Sequence, residues 1–162
     1  MLVMIGLALT VIGIVFPIFA IRAAVNDYYS IGSMVNIVFD AIKEQRLPNK
    51  VIPTSAVVWT ILAVAVFVAA CICFMAGSNI RIKNKVRARS MERARAFLAG
   101  GCLISGVSYP VMLLMKTLTN VEILYYYRNY DLFCTIGTVT MIVGIVGALF
   151  FVFGLINVLR NM

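Results

Sequence analysis

The chain has no histidine among its 162 residues. Imidazole is the usual proton carrier near neutral pH and a common ligand of haem and zinc, so sites built on it are excluded. Acid is scarce as well, with six Asp and Glu against fourteen Lys and Arg. All twenty charges fall between or at the ends of long apolar runs, whereas ion-coupled transporters and pumps place an ionisable group at membrane depth. Cysteine is limited to Cys71, Cys73, Cys102 and Cys134. Each lies within or at the edge of an apolar run, so the connecting segments lack the paired cysteines of a disulfide framework. The four read as small apolar packing residues. Nucleophilic catalysis needs Ser, Thr or Cys beside a base, and Thr60, Ser105, Ser108, Tyr109, Thr138 and Thr140, the hydroxyls at depth, have none. The expectation is a protein without enzymatic activity, metal or cofactor.

What is present is apolar. Apolar residues make up 63% and charged residues 12%, against about half and a quarter in soluble domains, and the mean hydropathy is +1.03. Runs at 2–21, 54–76, 96–115 and 132–159 each reach the ~20 residues that a helix needs to cross a bilayer. They lack the alternating ~10-residue pattern of a membrane barrel. The sequence thus predicts an all-α integral membrane protein, a four-helix transmembrane bundle forming a single membrane domain over residues 1–162. The first run has no basic leader and is longer than the 7–15-residue core of a signal peptide, so it is expected to be retained.

Orientation follows from the segment 77–95, which carries Arg81, Lys83, Lys85, Arg87, Arg89, Arg93 and Arg95 with one acid, Glu92. Loops rich in Lys and Arg stay on the cytoplasmic side. With this loop inside, both termini are inside and residues 22–53 and 116–131 form the outer loops. A net charge of +8 would point to nucleic acid in a soluble protein; here it orients the chain, and no nucleic-acid partner is expected. The same seven cations suit anionic lipid or an acidic partner. A plasma or an organellar membrane satisfies the pattern equally.

In the first outer loop, Ile31, Met34, Val35, Val38, Phe39 and Ile42 recur at helical spacing, with Asp40, Lys43 and Glu44 on another face. This predicts an additional amphipathic helix lying on the outer interface. In the second, Thr119 precedes Glu122 at capping-box spacing, and Tyr125, Tyr126, Tyr127 and Tyr130 cluster around Arg128, as in an aromatic belt.

Small residues mark the helix-packing faces. Gly6 and Gly13 share a stripe of the first run with Thr10, Pro17 and Ala20; Gly106 lies in the third; Gly137, Gly144, Gly147, Ala148 and Gly154 lie within about a third of the last. Such stripes let backbones approach closely. Pro110 breaks the hydrogen-bond ladder of the third run. Thr60, Ser108, Tyr109 and Thr138 fall at similar depths in the outer half of runs two to four and, with Ser105, form a candidate polar path.

Arg22-Ala23-Ala24-Val25-Asn26 is similar to the Arg-Ala-x-x-Asn segment of membrane-associated glutathione-conjugating enzymes. The glutamate that follows in that family is Tyr29 here, and the segment falls on the outer side, so the five residues assign no activity. The function expected from the sequence is a non-enzymatic subunit, scaffold or assembly factor of a larger membrane protein complex, in contact with lipids and other membrane subunits. The alternative is one component of an oligomeric channel or transporter built from copies of itself, with a hydroxyl-lined path between spans two and four.

Overall fold

A computed structural model describes residues 2–30, 35–36, 39, 52–76, 85–125 and 129–161. The described residues are helical throughout their regular structure: α1 (Leu2–Tyr28), α2 (Thr54–Ala76), α3 (Lys85–Thr119), the single turn α4 (Glu122–Tyr125) and α5 (Tyr130–Asn161). Four of them are long and apolar enough to cross a membrane. The helices alternate in direction. Val3, Phe74, Met91 and Val158 meet in one core cluster, and Ile21, Ala56, Leu118 and Phe133 meet in another. The start of α1, the end of α2, the start of α3 and the end of α5 therefore share one end of the bundle. That end also carries the basic residues of α3.

Helix outruns hydropathy in two places. α1 continues past Ile21 to Tyr28, and α3 begins at Lys85 rather than near Ala96. Lys85 to Ala96 is composed mainly of Arg, Ala, Lys, Met and Glu, all strong helix formers, and holds neither Gly nor Pro. The helix therefore extends beyond the apolar run. Pro110 and Pro17 lie within continuous helices, α3 and α1. Thr119 is the last residue of α3, and its hydroxyl donates back to the Lys116 carbonyl at 3.1 Å, so it ends that helix instead of capping the next. Most of the expected amphipathic helix lies outside the described residues; of it, Val35 and Phe39 are exposed. Tyr126 and Tyr127 also lie outside them.

Glycines fix how closely the helices pack. Added at Gly6, a Cβ would stand 2.6 Å from the Phe74 ring, and at Gly13 it would stand 2.9 Å from the Phe67 ring. Gly106 abuts the other side of Phe67. One phenyl ring, 2% exposed, thus sits between glycines of α1 and α3. Across the α3–α5 seam, an added Cβ would meet the Phe151 backbone at Gly101, the Ser105 amide at 2.7 Å at Gly147 and the Leu98 backbone at Gly154. Gly6 and Gly13 of α1 and Gly147 and Gly154 of α5 thus face other helices of the same chain.

α5 packs mainly on α3, whereas α1, α2 and α3 pack on one another. Its outer surface is apolar, with Val139, Ile142, Ile145, Leu149, Val152 and Ile156 exposed, and α1 and α2 likewise expose Val11, Phe19, Ile61 and Ile72. A water-soluble monomer rarely exposes apolar patches above a few hundred Å². Lipid is the solvent that suits these faces. The fold defines the class as a helical multi-pass membrane protein.

Candidate functional site

Because α5 leans on α3, a lateral cleft of about 400 Å³ opens between α1 and α5, with Phe67 of α2 reaching its wall. Four hydroxyls line it: Thr10, Ser105, Tyr109 and Thr140. Each donates to a helix carbonyl. Thr10 donates to Gly6 at 2.8 Å and Thr140 to Ile136 at 2.7 Å, both within their own helices. Ser105 crosses from α3 to Gly144 of α5 at 3.3 Å, and Tyr109 crosses from α3 to Ile14 of α1 at 3.0 Å. The acceptor of Tyr109 adjoins Gly13, whose carbonyl Pro17 deprives of its usual amide. In hydrocarbon such donors come from neighbouring helices. Ser105 and Tyr109 therefore tie helices together, and the lining beyond the four hydroxyls is apolar.

Of the candidate polar path, the structure brings Ser105 and Tyr109 to this cleft and leaves the others elsewhere. Thr60 is buried in α2 and donates to its own Ala56 at 2.8 Å. Thr138 is on the exposed side of α5 and donates to Cys134 at 2.9 Å. Ser108 is 6% exposed beneath Gly144, where an added Cβ would meet it at 3.5 Å. Among the helix-packing residues, Gly6, Gly13, Gly106, Gly137, Gly147 and Gly154 are buried, Gly144 is half-buried and Ala148 is exposed on the cleft. Thr10 and Cys102 were not among the path residues, yet Thr10 Oγ1 lies 3.8 Å from Cys102 Sγ, and Thr10 was legible only as part of the small stripe.

The cysteines are free. Cys71 Sγ donates to the Ala99 carbonyl at 3.3 Å and Cys102 Sγ to Phe67 at 3.9 Å, so both thiols join α2 to α3. Among the described residues no group of His, Cys, Asp and Glu is arranged to hold a metal.

The basic residues divide into three sets. Arg81 and Lys83 lie outside the described residues, and Lys85 and Arg87 belong to the first turn of α3. Arg89 and Arg93 are exposed on α3. Arg95 differs from both sets: it is 4% exposed, and its Nε and Nη2 are buried with no acceptor among the described residues. Helix geometry accounts for the burial, because Arg95 follows Met91 by four residues and precedes Leu98 and Cys102 by three and seven, which places it on their stripe. All three of those neighbours are buried.

No family model matches the chain, and neither a curated protein nor a solved structure does. The class stands on the four apolar helices, and a particular function has to be argued from the sites.

Proposed function

We propose that the chain is a non-enzymatic, multi-pass subunit or assembly factor of a larger membrane protein complex. The observation that carries this reading is Arg95. Two buried guanidinium nitrogens without an acceptor among the described residues carry a desolvation cost, and arginine as a rule keeps its charge. An acceptor from outside the described residues would relieve that cost. A carboxylate of a neighbouring membrane subunit is the group that fits, since it accepts two parallel N–H bonds from one guanidinium. The Lys and Arg excess of this end supports a contact on the cytoplasmic side.

The reading is tested by extracting the chain in a gentle detergent and weighing the intact assembly. It predicts unrelated chains in fixed stoichiometry, lost in Arg95→Met and weakened in Arg95→Lys, which keeps the charge but not the fork. A monodisperse monomer would overturn it. The alternative, a homo-oligomeric channel, rests on the cleft hydroxyls. These are engaged with carbonyls, and the cleft that holds them is otherwise apolar, so the channel reading has the weaker support; closed rings of this chain alone would favour it.

A further inference from the structure

The seam between α3 and α5 is open at the basic end of the bundle. A hollow of about 460 Å³ is walled by Arg89, Arg93 and Asn157 together with Phe97. A second, of about 280 Å³, shares Arg93 and Phe97 and continues along α3 past Gly100 and Ile104, against Phe150. Phe97 props the seam, its ring 6.0 Å from Phe150 and 5.5 Å from Phe153. A Cβ added at Gly100 would meet nothing within 4 Å. The second hollow is therefore bordered by open space at a position where most helices carry a side chain.

Charge and depth change together along this groove. Arg89 and Arg93 are one turn apart on the same face of α3, both exposed, and neither is paired with an acid among the described residues. Glu92 lines neither hollow. From Arg93 to Ile104 the helix rises about 16 Å, close to half of the ~30 Å hydrocarbon thickness. A cationic mouth that leads into an apolar slot one leaflet deep matches an anionic phospholipid, and basic pockets between membrane helices bind such headgroups. We infer that the α3–α5 seam holds one anionic phospholipid, its phosphate on Arg89 and Arg93 and one acyl chain along Gly100 and Ile104. Arg95 takes no part, so this site stands apart from the proposed protein contact.

The test uses the full chain in mild detergent with equal phosphatidylglycerol and phosphatidylcholine, and native mass spectrometry to count the lipids retained. One phosphatidylglycerol should be retained in preference. The double variant Arg89→Gln, Arg93→Gln should lower that preference about thirtyfold, whereas Arg22→Gln, Lys116→Gln at the opposite end should leave it unchanged. Gly100→Leu places its Cβ in open space and its side chain in the slot, and should reduce retention of both lipids while the chain stays folded. Retention without headgroup preference, or equal loss in both double variants, would overturn the headgroup assignment. Undiminished retention in a folded Gly100→Leu chain would overturn the acyl slot.

Discussion

A methyl group added at Gly101 meets the Phe151 backbone and the Gly147 carbonyl, the latter at 2.7 Å, whereas one added at Gly100 meets nothing within 4 Å. Backbone cannot rotate away as a side chain can, so Gly101→Ala should cost about 1–3 kcal/mol. Gly100→Ala should be neutral or stabilise by up to about 1 kcal/mol, because alanine is the better helix former. SDS titration of both variants in mixed micelles checks the pair, and a cost at Gly100 equal to that at Gly101 would contradict the described seam. Arg95 is the second residue whose neighbours decide its role. If the isolated chain leaves its guanidinium unpaired, Arg95→Met should raise the stability of that chain by about 1–4 kcal/mol even as it abolishes assembly. The hydropathy pattern grouped Arg95 with the six other cations of the segment, because it ends a basic run. Its helical phase with Met91, Leu98 and Cys102 was the legible sign that it faces inward.

At the level of elements, the hydroxyls separate into those that join helices and those that do not. Tyr109→Phe removes the α3 to α1 bond to Ile14 and should cost about 0.6–1.5 kcal/mol. Thr138→Val removes a bond within α5 and should lie within about 0.5 kcal/mol of the parent. Both are measured by the same titration. α5 packs mainly on α3, so Gly101→Ala should accelerate amide exchange along α5 while leaving α1 and α2 together. Trp59, edge-on to Phe16 of α1 at 5.3 Å, reports that second contact by fluorescence. Coincident loss of both signals would mean that α5 and the α1–α2 pair do not separate. The apolar runs located the helices well because lipid depth and hydropathy measure the same quantity. They were silent on where helix stops in water, so the Lys85 to Arg95 extension of α3 and the end of α1 at Tyr28 came from the structure. Small faces were legible too, but their occupants were not: that Phe67 and Phe74 fill the glycine gaps depends on which helices become neighbours.

For the whole molecule, the alternating helix directions put both described chain ends beside the basic part of α3. If that end faces the cytoplasm, as the Lys and Arg excess argues, a cysteine introduced as Ser90→Cys should resist an impermeant maleimide in intact cells and react after permeabilisation. Labelling from outside would invert every compartment. The chain then presents its basic end to the cytoplasm, with Nε and Nη2 of Arg95 lacking an acceptor among the described residues, and an apolar surface to lipid. The mass of the gently extracted assembly tests that account most directly. It should exceed one chain plus bound lipid by a fixed set of other subunits and fall to the single chain in Arg95→Met; a parent protein that emerges alone as a monomer would contradict it.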